Sequence, residues 1–408
     1  MMDPVSSLPA IASLLVAVAT SFVLVKRFGA PPSEGRYASI DGLRGYLAFF
    51  VFLHHSCVWY FYLNTGRWEL PPSNLYSHFG QSSVVLFFMI TGFLFFSKLI
   101  AGRTSPVDWG KLFVSRFLRL TPLYVFVVLL LFVTVGYLSG GTANESTSKL
   151  MVGAVRWLGF TAFGGPNLNG VEDTYVIVAG VMWTLAYEWL FYFSLPLLAL
   201  TVGVRAPLTY LVLSGTIVLG AIILFSTVKH PSITLLVAFL SGMAVSVLVL
   251  SEPFRKYSKG MIPSFAIVGC LATAVALYST PYSPGPLFLL FVAFSLIACG
   301  NDLFGILRSP VSRVIGQMAY SIYLLHGIIL FAIFSIIIGM VESKGLSPAV
   351  FWFIIVGITP VLLLLSFSTF CCIERPAMHS TAVFTAWLRS RHFVSSKAQA
   401  VDLPPPRD

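Results

Sequence analysis

DGLRGYLAFFVFLHHSCVWYFYL, residues Asp41–Leu63, is apolar enough to cross a bilayer as one helix, yet it carries Arg44, His54 and His55. About 20 such residues, rising ~1.5 Å each, match a hydrocarbon layer roughly 30 Å thick. Arg44 and His55 are eleven positions apart, and eleven steps of about 100° return almost to the starting direction, so both side chains share one face. The helix rise separates them by roughly 16 Å, while His54 points about 100° away from that face. Ionisable groups aligned on a membrane helix are costly in lipid and favour a polar pathway. The same spacing also suits an arginine anchored in headgroups and a histidine bonded to a neighbouring helix.

The pattern repeats on either side of this stretch. The chain is 57% hydrophobic and 10% charged, with a mean hydropathy of +0.89. Those values predict an all-α integral membrane protein, a polytopic bundle, because apolar runs of about 18 to 25 residues are helical spans and not ten-residue barrel strands. Eleven spans are expected: Leu8–Val25, Asp41–Leu63, Ser83–Leu99, Leu120–Leu138, Tyr175–Val202, Pro207–Ser226, Ile233–Leu250, Ile262–Tyr278, Pro286–Cys299, Ile315–Met340 and Ala349–Cys371.

With the N-terminus outside, 20 of the 25 Lys and Arg residues fall in inside loops or at the inner end of the second span. Arg67, Lys149, Arg156, Lys229 and Lys344 fall outside. This asymmetry predicts an N-outside, C-inside topology. It also makes the +10 net charge a property of topology, with no nucleic-acid partner implied. Lys26–Arg27 follow the first segment and no small-residue cleavage site is evident, so it reads as a retained span. Cys57, Cys270 and Cys299 lie within spans and Cys371–Cys372 at one span's inner end, a distribution of buried small hydrophobes without disulfide or metal-ligand spacing. No internal repeat is visible. Two outer stretches, Asn64–Ser82 and Ser139–Asp173, are long enough to cap a cavity.

Of the fifteen acidic residues, Glu188 alone falls in the middle of an expected span. A carboxylate there must be protonated or paired. It either ties helices together or sits beside a histidine, fixing the tautomer and stabilising the imidazolium. Trp183 and Tyr187 precede it, and Tyr192 follows four residues later on the same face. His326 is the other deep ionisable residue, about eleven residues into its span, where it approaches the depth of His55; Tyr320, Tyr323 and His326 form a loose polar stripe. Arg116 and Arg119, three residues apart, occupy one face at the membrane entrance, which suits either topological anchoring or bidentate recognition of phosphate.

Six segments, taken together and in order, resemble the membrane-bound acyltransferase 3 family of carbohydrate acyltransferases. They are SIDGLRGYLAFFVFLHH (Ser39–His55), GQSSVVLFFMITGFLF (Gly80–Phe95), FVSRFLRLTPLY (Phe113–Tyr124), WTLAYEWLFYFSLP (Trp183–Pro196), GQMAYSIYLLH (Gly316–His326) and IERP (Ile373–Pro376). The family's arginine–ten residues–histidine signature falls on Arg44 and His55, and its paired-arginine motif on Arg116 and Arg119. The resemblance divides the chain into an extra N-terminal helix and linker (1–38), the acyltransferase membrane domain (39–376) and a short tail (377–408). It implies transfer of an acyl group, usually acetyl, from cytoplasmic acetyl-CoA or another acyl-CoA to a hydroxyl of an envelope or exported glycan, in a bacterial inner membrane and without a metal. The extra helix leaves homo-oligomerisation or docking into a glycan-assembly complex open.

On this reading CoA phosphates bind Arg116 and Arg119, with Arg44 at the channel mouth. The pantetheine arm runs along the Arg44–His55 stripe, and His55 acts as general base. Glu188 orients or charge-balances His55. Trp183, Tyr187, Tyr323 and His326 are the candidates for substrate contact. Direct transfer and an acyl-histidine route both fit. A transporter of a glycan or lipid-linked sugar explains the buried Arg, His and Glu equally well but not the six ordered segments; a silent scaffold is the third reading.

Overall fold

The structure is a computed structural model that describes residues 3–31, 37–227 and 233–390. Arg36, Lys229, Arg391, Lys397 and Arg407, counted in the charge asymmetry, lie outside the described residues. The chain runs through helices α1 (Leu8–Phe28), α2 (Ala38–Thr65), α3 (Asn74–Ala101), α4 (Trp109–Leu138) and a short α5 (Thr147–Leu158). It continues through α6 (Trp183–Thr201), α7 (Leu208–Thr227), α8 (Ile233–Leu248), α9 (Glu252–Ser258), α10 (Met261–Leu277) and α11 (Pro284–Ala298). Next come α12 (Pro310–Gln317), α13 (Ala319–Phe331), α14 (Met340–Lys344), α15 (Pro348–Thr369) and α16 (Arg375–His379). Among the described residues there is no strand, only an isolated bridge between Leu168 and Val171. Among the described residues six helices are long and apolar enough to cross a membrane, or seven if α8 and α9, bent by 105°, are one span. The protein is an all-helical integral membrane protein.

Helix ends follow local chemistry. The Ser73 hydroxyl accepts from the Tyr76 amide and the Asp108 carboxylate from the Lys111 amide, so α3 and α4 begin nine and eleven residues before the expected spans. Arg116 and Arg119 therefore stand well inside a capped helix. Gly66, with φ 72°, ends α2.

Three expected spans are interrupted. Tyr175–Val202 begins as a 3-10 turn, Thr174–Val178, and becomes α-helical only at Trp183, after Ala179 and Gly180 adopt positive φ. Ile315–Met340 breaks between α12 and α13 and closes as a π-helix, Ala332–Ile337. The last span runs on through a second π turn, Phe370–Glu374, ahead of Pro376. Proline lacks the N–H the α-ladder needs and a π turn holds an extra residue, so the helix changes face there and Glu374 turns inward.

The glycines of the opening stretch set the position of Arg44. A Cβ on Gly42 would strike the Leu307 carbonyl, and one on Gly316 the Asp41 carbonyl, so α2 lies backbone to backbone against α12 and the turn before it. On α13, a Cβ on Gly327 would strike the Val178 backbone. That contact seats the 3-10 turn beside His326.

Candidate active site

Two clusters of polar side chains meet in the bundle. The first is a pocket between α2, α3, α4, α6 and α13, lined by Arg44, Arg116, Arg119, Glu188, Tyr192, Tyr320 and Tyr323, with Phe87, Phe88 and Phe95 as apolar wall. Both arginines of the paired motif and the arginine of α2 thus reach one space. Arg44 Nη1 is 3.9 Å from Asp41 Oδ1, one turn earlier. Arg116 lies over the Phe95 ring, 5.2 Å from its centroid, and forms no ion pair among the described residues.

Arg119 is held from behind. Its Nη2 is 4.0 Å from Glu374 Oε2, the Glu374 side chain being 0% exposed and that of Arg119 15%. Ser321 donates to the other Glu374 oxygen, and the Thr369 hydroxyl donates to Ser321 at 3.0 Å. The IERP segment therefore supplies the buried counter-charge of Arg119. Glu188 accepts a hydrogen bond from Tyr192, as their i,i+4 spacing places them. Three guanidinium groups face one lining carboxylate in a low-dielectric pocket, an arrangement that favours a bound anion.

The second cluster is a histidine pair. His55 Nδ1 and His326 Nε2 are 3.0 Å apart. His326 Nδ1 is 3.1 Å from the Ile322 carbonyl oxygen, which only accepts, so Nδ1 carries the proton of the neutral ring. Its Nε2 is then the acceptor, and His55 Nδ1–H is the donor, shared with the Val51 carbonyl at 3.1 Å. This leaves the proton-free Nε2 of His55 without a hydrogen-bond partner among the described residues. His326 is 0% exposed with both nitrogens engaged. His55 is partly exposed and stacks on Trp68, with centroids 6.1 Å apart and planes at 16°. The neighbouring His54 donates to the Tyr76 carbonyl at 2.8 Å and is tied to α3.

Tyr323 joins the clusters. Its ring lines the arginine pocket and lies 6.2 Å from the His326 ring; its hydroxyl donates to the Val181 carbonyl at 3.1 Å and meets Thr184 Oγ1 at 2.8 Å. Tyr320, one turn earlier, donates to the Leu120 carbonyl at 2.9 Å.

The structure thus brings Arg44, Arg116, Arg119, Glu188 and Tyr323 to one pocket and His55 and His326 to one hydrogen bond. The partner of His55 is His326, whereas Glu188 bonds Tyr192; the expected contact of Glu188 with a histidine is not made. Trp183 and Tyr187 stack edge-on 5.6 Å apart, outside the arginine pocket. They sit on α6 next to Thr184 and Glu188, which do line it. Sequence reading passed over Glu374 and Trp68. Glu374 was signalled only as an acid in the last ordered segment, near a basic membrane entrance. Among the described residues no three His, Cys, Asp or Glu side chains converge as metal ligands, and the five cysteines are free.

A family model described as an acyltransferase domain matches residues 37–371, more than half of the chain and containing both clusters apart from Glu374. No curated protein and no solved structure matches the chain significantly.

Proposed function

The chain belongs to the membrane-bound acyltransferase 3 family, and from that premise we propose that it moves an acyl group, acetyl in the first instance, from acyl-CoA to a hydroxyl of an extracytoplasmic glycan. The observation that carries this reading is the chain Ile322 carbonyl–His326–His55, which presents the His55 Nε2 lone pair without a competing partner. Histidine suits proton transfer near neutral pH. The three-arginine pocket suits the phosphates of CoA, because guanidinium groups bind phosphate through paired hydrogen bonds. Arg44 and His55, eleven residues apart on the unbroken α2, give the pantetheine arm roughly 16 Å of helix to follow.

In this reading His55 Nε2 takes the acceptor's hydroxyl proton as its oxygen bonds to the thioester carbon. The carbon–sulfur bond then breaks, and the imidazolium returns the proton to the CoA thiolate. His326 holds His55 in the required tautomer, and Glu188 acts within the arginine pocket. The membrane arrangement is eleven spans with the N-terminus outside and the arginine pocket toward the cytoplasm, in a bacterial inner membrane.

The test is transfer from labelled acetyl-CoA to a panel of envelope glycans by purified wild type, His55→Ala and Arg116→Ala/Arg119→Ala. The expected result is a glycan product one acetyl group heavier with wild type, none with His55→Ala, and loss of CoA binding in the double arginine variant. Folded wild-type protein that binds no CoA and moves glycan unchanged in mass is a transporter, and the reading fails. His55→Ala that binds CoA and transfers at the wild-type rate removes the histidine base.

A further inference from the structure

Beside the histidine pair lies a rim of aromatic and acidic side chains that the acyl-transfer chemistry does not use. Trp68 stacks on His55 and meets Tyr62 edge-on at 5.4 Å. Tyr175 and Asp173 lie on and at the start of the 3-10 turn that Gly327 packs onto α13, the helix of His326. Trp68, Tyr62 and Tyr175 are partly exposed and Asp173 is exposed. The Trp68 indole N–H, both tyrosine hydroxyls and the Asp173 carboxylate make no hydrogen bond among the described residues. Polar groups without partners, on the rings packed at His55 and on the turn packed at α13, are available to a ligand.

The rim is also held in place. Asp173 adopts φ 48°, a conformation rarely taken by non-glycine residues, at the start of the 3-10 turn that Gly327 clamps onto α13. Thr174 Oγ1 donates to the Val171 carbonyl at 2.8 Å and accepts from the Leu168 amide at 3.1 Å. The preceding loop is fastened by Asn169, whose side chain accepts from the Asn144 amide and donates to the Thr142 carbonyl, both at 2.7 Å. A site fixed before its ligand arrives loses less ordering entropy on binding.

We propose that Trp68, Tyr62, Tyr175 and Asp173 form the saccharide-binding site for the acceptor, with the Trp68 ring against the C–H face of a pyranose and Asp173 accepting hydrogen bonds from its hydroxyls. A pyranose is apolar on its faces and polar at its edges. An aromatic ring, with its electron-rich face, meets the first, and an unpaired carboxylate with the free hydroxyl groups meets the second. Trp68 stacks on His55, so a sugar seated against that ring brings its hydroxyls near the proposed base. This inference rests on the acyl-transfer reading for its purpose but not for its binding chemistry.

The experiment titrates full-length protein in nanodiscs with neutral cello-, malto- and chito-oligosaccharides, read by saturation-transfer NMR, using wild type, Trp68→Ala, Trp68→Phe and Asp173→Asn. CoA binding serves as the control for folding. The expected result is that Trp68→Ala and Asp173→Asn weaken saccharide binding by roughly ten-fold or more, about 1.4 kcal/mol, while Trp68→Phe retains most of it and CoA binding is unchanged. Trp68-dependent saccharide binding without any acyl transfer supports the site and removes the acyl-transfer reading. Acyl transfer to a saccharide with an acceptor KM unchanged in Trp68→Ala and Asp173→Asn overturns the site and leaves that reading standing. Absence of saccharide binding across the panel, in protein that binds CoA, overturns the site as well.

Discussion

Replacing His326 by alanine isolates the hydrogen bond that orients His55. The substitution removes an acceptor 3.0 Å from His55 Nδ1 and leaves the Val51 carbonyl at 3.1 Å, so the imidazole keeps one anchor of two. A neutral buried hydrogen bond contributes ~1 kcal/mol net, and leaving its partner underbonded costs up to ~3 kcal/mol. At about 1.4 kcal/mol per decade of rate, the expected fall in kcat is roughly 5- to 150-fold. That range lies mostly below the ~10²–10⁴-fold expected for loss of a general base in His55→Ala. Because His326 is fully buried with both nitrogens engaged, KM for acyl-CoA and for the acceptor should stay within about two-fold. His326→Gln, whose side-chain carbonyl occupies the position of Nε2, should restore most of the rate. Steady-state kinetics in nanodiscs, with CoA binding as the check on folding, measure all three variants. A folded His326→Ala protein with wild-type kcat refutes the orienting role. A change confined to acceptor KM would show instead that His326 contacts substrate.

Two further outcomes follow from buried and surface carboxylates. Glu374→Ala strands Arg119 beside Arg44 without its buried counter-charge, a loss of about 3–5 kcal/mol for a broken buried pair, and should lower the thermal midpoint in detergent. Glu374→Gln, which keeps the partner of Ser321, should fall between Glu374→Ala and wild type, and equal midpoints for all three would contradict the pairing. In the stretch between α4 and α6, the Lys149 ammonium, aided by the Asn169 and Gly170 amides, holds the Glu145 carboxyl below the ordinary carboxylate range. A lowered folded pKa gives stability that is present above the unfolded value, about 4.3, and is lost as pH falls through the folded one. Hydrogen-exchange protection over 142–170, taken relative to the intrinsic rate at each pH, should therefore fall in acid, and at neutral pH in Glu145→Gln; protection identical to wild type in that variant would show the contact to be idle.

Much of the helical framework was legible because its causes are local. Apolar length marks a membrane helix wherever it lies, so the cores of the expected spans coincide with helices. The 3.6-residue period puts Arg44 in line with His55 and Arg116 beside Arg119 whatever surrounds them. The interruptions were not legible in the same way. The 3-10 turn before α6 and the π turn at Phe370–Glu374 depend on what packs against each segment.

The sequence by itself determined the membrane class, most helix cores, the ordered segments that place the chain in its family, and the ionisable residues from which a site had to be built. Tertiary structure alone decided their partners. His326 meets His55 across 271 residues of chain, Arg119 rests on Glu374, and Trp68, from the loop after α2, stacks on His55. The physical reason is that helix periodicity fixes the direction of a side chain relative to its own axis. Which group of a distant helix it meets depends on backbone contacts such as Gly42 on Leu307 and Gly327 on Val178, which set how the helices are rotated and how closely they approach.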